Sequence, residues 1–304
     1  MKEKKYDFFI EEVERKKLGE VITNASLKEY CTLHIGGTAK IIYIPENLEQ
    51  LKEAFKIIVD NSLSFFVIGK GSNLLISDDY HEKIFINLKK INQVNVNNNL
   101  VKVYSGALTN KLARSISLLG YTGLEFLAGI PGSIGGAIYM NAGAWNKEIS
   151  EVVKDVTYLD ENANLCLFVS HKDSFSYRCS PFQKRKVIIV GCTLKVKLAS
   201  REEMPLKIYQ TYLDKKKKIQ PCNVYSAGCA FKNPKSQPAW RLIENASCGK
   251  LKIGDAMVSK KHKNFLINKK EATFADMEKL LYLVQSEVYD KYLVKLELEW
   301  NILK

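Results

Sequence analysis

The chain has 304 residues, 46% of them apolar and 26% charged, with a formal net charge of +13. That length fits two or three domains. No apolar run reaches bilayer-spanning length, and the charged start, MKEKKYDFFIEEVERKKLGE, has no signal-peptide core, so a soluble cytoplasmic protein is expected. The lysines are spread along the chain with one dense run, Lys215–Lys218, and no base-reading motif accompanies them, so no nucleic-acid partner is expected.

The first segment, 1–92, reads as a small α/β unit. Residues 39–45 (AKIIYIP) suit a strand, and 46–61 place apolar residues at 48, 51, 54, 55 and 58, one face of a helix. A second strand, 64–68, runs into GKGSN (69–73). There the spacing matches neither a dinucleotide GxGxxG nor a Walker loop, but successive main-chain N–H groups after a strand suit an anion. A plain turn is the alternative.

The second segment, 93–204, opens with an alternating stretch around asparagines (94–105) that predicts a β-hairpin. An amphipathic helix over 108–119 follows, then YTGLEFLAGIPGSIGGAIYMNAGAWNKE (121–148). Glycine stands at 123, 129, 132, 135, 136 and 143 of this stretch. A cluster that dense marks a place where something approaches the main chain closely. Phe126, Leu127, Ile130, Ile134 and Ile138 between the glycines argue for an ordered loop around a flat or phosphorylated ligand. A tight helix-to-strand junction is the other reading. Further strands are expected over 152–160, 165–169 and 187–198. The blocks mix without regular βαβ alternation, so the fold class is α+β.

The third segment, 205–304, carries a lysine-rich helix at its start, a glycine-bearing turn SAGCAFKNP (226–234) and a short helix near 238–245. A strand follows over 263–268, then a long helix over 275–292 and a terminal strand over 296–303.

Seven scattered cysteines without a Cys-x-x-Cys pair suit reduced thiols. The four histidines (34, 81, 171 and 262) show no ligand spacing, and no metal site is expected. Arg178, in SYRCS, is either a surface residue or an inward fork for a carboxylate. Cys229, between Gly228 and Ala230, is either an inert small residue or a proton donor beside a ligand. Glu297 and Glu299 alternate with apolar neighbours, which by local pattern turns both to solvent.

Taken together and in order, GKGSNLLI (69–76), GLEFLAGIPGSIGGAIYMNAGAW (123–145), SYRCSPF (176–182), SAGCAFKNP (226–234), KHKNFLIN (261–268) and LELEW (296–300) resemble the UDP-N-acetylenolpyruvoylglucosamine reductase family. The resemblance covers most of the chain from about residue 20. It implies a two-lobed FAD-binding domain of the vanillyl-alcohol-oxidase/PCMH type and a C-terminal α+β substrate domain. The passage from Ser180 to Val187 is direct, as in the family's short form without a substrate-capping insertion.

By the same resemblance, Gly69, Lys70, Gly71, Ser72, Asn73 and Leu74 hold FAD. So do Gly129, Ile130, Pro131, Gly132, Ser133, Gly135 and Gly136, with Asn141, Ala142 and Gly143 near the flavin. No histidine lies in either loop, so FAD is expected to be non-covalent. NADPH is the implied hydride donor and UDP-N-acetylglucosamine enolpyruvate the small-molecule substrate, and a monomer is expected. Arg178 and Glu299 are implied to polarise the substrate carboxylate, with Glu299 protonated or sharing a proton. Cys229 stands where the family commonly has serine, as the implied proton donor; a thiol, with a reference pKa of about 8.5, is the better acid. Tyr177, Lys215, Lys218, Asn233 and Asn264 are implied substrate contacts, the lysines for the diphosphate. A flavin oxidase or dehydrogenase of the same superfamily is the alternative, and SAGCAFKNP and LELEW speak against it.

Overall fold

The computed structural model describes residues 2–171, 174–200 and 202–304, with side chains from Lys4 onward. Helix α1 (Lys2–Arg15) is hidden in the charged N-terminus. Tyr6, Phe9 and Val13 recur at helical spacing and are buried, while Asp7 and Glu11 between them face water. Strands β1 (Glu20–Ser26) and β2 (Thr38–Ile44) follow, then α2 (Leu48–Asp60), whose first turn is closed by the Asn47 side chain accepting from Gln50 N. After β3 (Phe65–Ile68) come β4 (Leu74–Ile76) and β5 (Tyr80–Asn87).

The expected hairpin is β6 (Val94–Asn97) and β7 (Leu100–Tyr104), turned at Asn98 with φ 50°. Helix α3 (Thr109–Leu118), β8 (Tyr121–Thr122), α4 (Ile134–Tyr139), β9 (Gly143–Ala144) and β10 (Lys147–Glu148) carry the chain through the glycine stretch. Then β11 (Val153–Leu159), β12 (Leu165–Val169), β13 (Ile188–Lys195) and β14 (Lys197–Leu198) lead to α5 (Pro205–Ile219). The last part holds β15 (Tyr225–Cys229), α6 (Ala239–Asn245), β16 (Lys252–Ile253), β17 (Ala256–Val258), β18 (Phe265–Asn268), α7 (Phe274–Tyr292) and β19 (Asn301–Leu303). One four-stranded sheet has the order β1-β2-β5-β3, with β3 and β5 parallel. This is an α+β fold, as expected.

The chain forms two compact units, neither of them contiguous in sequence. The first takes the segment up to Thr23, Lys40–Gly69 and Glu82–Asp214. It holds two cores, one around Phe9, Tyr43, Phe55 and Ile86 and one around Leu112, Phe126, Ile134 and Leu194. The second core lies under the antiparallel sheet β12-β11-β13-β7-β6. The second unit takes Asn24–Ala39, Lys70–His81 and Lys215–Lys304, and packs Leu33, Leu75, Phe231, Val258, Leu280 and Trp300 together. Its sheet runs β15-β18-β17-β16.

Each unit draws on more than one of the consecutive parts 1–92, 93–204 and 205–304. Lys70–His81 joins the C-terminal part because β4 pairs in parallel with β19, at Leu74↔Asn301, Leu75↔Ile302 and Ile76↔Leu303, and Asn24–Ala39 joins it through Thr32 O and Leu33 O, which accept from Ser226 N and Asn268 Nδ2. The terminal strand is also shorter than 296–303. Residues 293–300 make only a single bridge, Phe231↔Leu298, and a bend at Trp300 precedes β19. Among the described residues, no helix is long and apolar enough to cross a membrane.

Candidate active site

In the first unit the glycine stretch is pinned by the start of α3. Gly129 N donates to Asn110 Oδ1 at 2.9 Å, and Tyr209 OH donates to the same oxygen at 2.7 Å. Thr109 Oγ1 donates to Ile130 O at 2.6 Å, and Thr109 N to Gly132 O at 3.2 Å. Gly129 and Gly132 sit at φ 65° and 132°, where a side chain would strain the backbone. Thr109 and Asn110 were not among the expected site residues. Their signal in the sequence is a polar pair at the head of an amphipathic helix.

Two of the glycines are needed for protein packing. A Cβ on Gly69 would lie 2.5 Å from Ser133 Oγ, so the first loop presses on the second. A Cβ on Gly135 would meet Ser105 Cβ and Oγ at 2.9 Å. Gly136 is different: it is exposed, and only Ser133 Oγ lies within 4 Å, at 3.7 Å. Gly69 and Pro131 are exposed as well. Side-chain-poor main chain left open beside a rigid loop fits a large flat cofactor with a diphosphate.

Asn141 is fully buried and ties this stretch to the SYRCS loop. Its Nδ2 donates to Ser176 O at 2.9 Å and to Glu148 Oε2 at 2.8 Å, while its Oδ1 accepts from Ser150 N at 3.2 Å. Both amide hydrogens are thus spent within the protein. Ser176 and Cys179 exchange both main-chain hydrogen bonds around a tight turn that puts Arg178 at φ 57°. Arg178 is half-buried; its Nη2 donates to Gly143 O at 3.3 Å and its guanidinium lies 4.9 Å over the exposed Tyr177 ring. The structure thereby brings Arg178 onto the glycine stretch.

In the second unit, Gly71 (φ 61°) packs its Cα against Tyr30 O and Cys31, where a Cβ has no room. Thr32 N donates to Gly71 O at 3.2 Å, and Thr32 O accepts from Ser226 N at 2.9 Å. Lys70 is exposed; Ser72 and Asn73 are half-buried and Leu74 is buried. Asn73 Nδ2 donates to Glu299 O at 2.9 Å. Glu299 N donates to Ala230 O at 2.8 Å, next to Cys229, and Lys232 N donates to Glu297 O at 2.8 Å. Cys229 and Glu299, both half-buried, therefore stand on adjoining main chain.

The two glutamates do not share an environment. Glu297 is exposed, 3.5 Å from Lys232 Nζ, whereas Glu299 is half-buried because no regular strand exists at these positions. Buried Asn264 clamps Phe231: its Nδ2 donates to Phe231 O at 2.8 Å and its Oδ1 accepts from Phe231 N at 3.0 Å. Asn233 is exposed and accepts from Ala239 N at the head of α6. Lys215 and Lys218 lie exposed on α5, three residues apart and so on one face. Burial pushes the His262 imidazole below its usual pKa. Among the described residues no cluster of three metal-ligating side chains occurs.

Residues 39–166 match the family profile of the FAD binding domain, which places the chain among the flavoproteins. Residues 220–303 match that of the UDP-N-acetylenolpyruvoylglucosamine reductase C-terminal domain. The chain is 38% identical over 294 residues to the UDP-N-acetylenolpyruvoylglucosamine reductase of Carboxydothermus hydrogenoformans, covering 96% of this chain and 97% of the relative. It is 37% identical over 281 residues to that of Caldicellulosiruptor bescii, with 92% and 90% covered. The crystal structure of the Thermus caldophilus reductase superposes with a TM-score of 0.80 at 32% identity, over 94% of this chain and 98% of that one. The chain belongs to the UDP-N-acetylenolpyruvoylglucosamine reductase family.

Proposed function

We propose that this chain reduces UDP-N-acetylglucosamine enolpyruvate to UDP-N-acetylmuramate for peptidoglycan precursor synthesis. The observation that carries the reading is identity of 38% along 96% of the chain to a reductase of that name. Bound FAD would supply the redox chemistry by which a hydride from NADPH reaches the vinyl CH2 carbon of the substrate. Residues in Gly69–Leu74, Gly129–Gly136 and Asn141–Gly143 would hold it without a covalent bond.

The rest falls to this chain's own side chains. Hydride addition at CH2 pushes negative charge toward the carbon beside the carboxylate. Arg178 meets that charge with a planar fork, steadied by the Tyr177 ring and Gly143 O. Glu299 binds the same carboxylate while carrying or sharing a proton, since two bare carboxylates repel. Cys229 gives its thiol proton to the carbon bearing the ether oxygen. Lys215 and Lys218 pair with the UDP diphosphate, and Asn233 and Asn264 line the sugar-nucleotide side, Asn264 also by fixing Phe231 beside Cys229. The enzyme acts in the cytoplasm as a monomer on this small molecule.

Anaerobic stopped-flow tests the reading. The purified protein is expected to be yellow, to lose its absorbance near about 450 nm with NADPH and to regain it with the enolpyruvyl sugar. Bleaching without recolouring would point to another flavin oxidoreductase.

A further inference from the structure

The loop after β3 ends in a side chain that serves the opposite strand. We propose that Asn73 is a positioning residue for Glu299, resting on the acid role given to Glu299 above. Two bonds leave Asn73 for the C-terminal segment: Nδ2 to Glu299 O at 2.9 Å, and Asn73 O from Asn301 N at 3.0 Å. The β4–β19 ladder itself begins only at Leu74↔Asn301 and closes with Ser77 N on Leu303 O. The carboxamide thus extends the pairing upstream past the bend at Trp300, to a residue that lies in no strand.

Glu299 is gripped from both sides as a result. Its N–H is held by Ala230 O, beside Cys229, and its carbonyl by Asn73. Fixing both ends of one residue fixes its Cα–Cβ direction, and with it the approach of the carboxyl group. The loop that supplies the grip is itself closely packed, since Gly71 is wedged against Tyr30 and Cys31 and its carbonyl takes the Thr32 N–H. Thr32 in turn receives Ser226 N from the strand that ends at Cys229. Asn73 therefore acts on the proton-handling step, and a ligand on this loop meets main chain instead of the carboxamide.

The test compares holoenzymes carrying Asn73→Ala, Asn73→Asp, Glu299→Ala and the Asn73→Ala/Glu299→Ala pair. For Asn73→Ala saturated with FAD, reoxidation by the enolpyruvyl sugar is expected to slow about thirtyfold relative to flavin reduction by NADPH, the scale on which small misplacement of a catalytic group is felt. Amide hydrogen exchange at residues 299 and 301 should quicken by up to about tenfold, as loss of one net hydrogen bond allows. Asn73→Asp keeps the shape but its carboxylate cannot donate, so it should behave like the alanine variant if that one folds poorly. The double variant should be no slower than Glu299→Ala. Parallel loss of reduction and reoxidation, or multiplied losses in the double variant, would overturn the proposal. Normal reoxidation by Glu299→Ala would instead sink the acid role of Glu299, a separate failure. The exchange rates would then still decide whether Asn73 holds that main chain.

Discussion

Asn141 Nδ2 donates to Ser176 O at 2.9 Å, and through that one bond the glycine stretch supports the turn that presents Arg178. The same amide reaches Glu148 Oε2 and accepts from Ser150 N, so its removal strands three part-buried partners at once. Asn141→Ala is expected to cost about 2–4 kcal/mol of stability, the sum of a few desolvated, unmade hydrogen bonds. Because Arg178 sits at φ 57°, a conformation kept only by its surroundings, the turn should relax and KM for the enolpyruvyl sugar should rise more than KM for NADPH. Thermal unfolding and steady-state kinetics on both substrates check this. Equal KM changes would remove the link to Arg178.

Gly69 and Ser133 give a second test, of how closely the two loops must meet. Gly69 has no left-handed φ, so alanine is acceptable to the backbone and only contact with Ser133 Oγ opposes it. Gly69→Ala is expected to spread the loops and weaken FAD binding about tenfold, equivalent to ~1.4 kcal/mol. In Gly69→Ala/Ser133→Ala the nearest neighbour becomes the residue 133 Cβ, 3.5 Å away and in ordinary contact. Most of the affinity should return. Fluorescence titration of the apoprotein with FAD measures both; no rescue would mean that Gly69 is needed by the ligand itself.

Much of the architecture was legible because it is encoded locally. The alternation from Val94 to Tyr104 forms the β6–β7 hairpin, and Met277, Leu280, Leu281, Val284 and Val288 form the buried face of α7. Phe126, Leu127, Ile134 and Ile138 are buried as an ordered glycine stretch requires. Helix α1 was not expected, because the charges around Tyr6, Phe9 and Val13 mask their buried stripe. What else stayed hidden depends on partners far away in the chain. Local alternation turned Glu297 and Glu299 both to solvent, whereas Asn73 and Ala230 hold the main chain at Glu299 and leave it half-buried. Nothing near Asn141 or Asn73 announces that their carboxamides are spent on protein carbonyls. That Lys70–His81 joins the second unit likewise follows from β4 pairing with β19.

His262 provides a pH test. Its ring packs edge-on against Phe265 at 4.9 Å, and Nδ1 is buried without a hydrogen-bond partner. Burial favours the neutral ring and lowers its pKa below the ordinary 6.5. As pH falls through 6.5 the unfolded chain takes up a proton that the native state refuses, so stability drops until the native pKa is passed. The stability from a neutral His262 is thus complete above that range. Its loss on acidification has a slope of at most about 1.4 kcal/mol per pH unit. Urea unfolding between about pH 5 and pH 7.5 should show a shallower slope for His262→Phe. An unchanged slope would assign the acid sensitivity elsewhere.

Cys229 carries the sharpest test of the chemistry. Its place at the end of β15, paired with Phe265 and followed by the Ala230–Glu299 bond, fixes the main chain that bears the thiol. Serine has the same shape and keeps a donor, so Cys229→Ser is expected to retain activity within about one order of magnitude, with the deficit reflecting the weaker acid. Cys229→Ala loses the donor. NADPH should still bleach its flavin at the normal rate, while recolouring by the enolpyruvyl sugar slows by roughly 10²–10⁴-fold, the usual worth of a positioned acid. The two variants should also part in their pH dependence. Only a protonated thiol can donate, so alkaline conditions that ionise it should slow the native enzyme, whereas the serine variant should lack that limb. Stopped-flow traces of the two half-reactions from neutral to alkaline pH read both effects, and normal recolouring by the alanine variant would exclude Cys229 as the proton source.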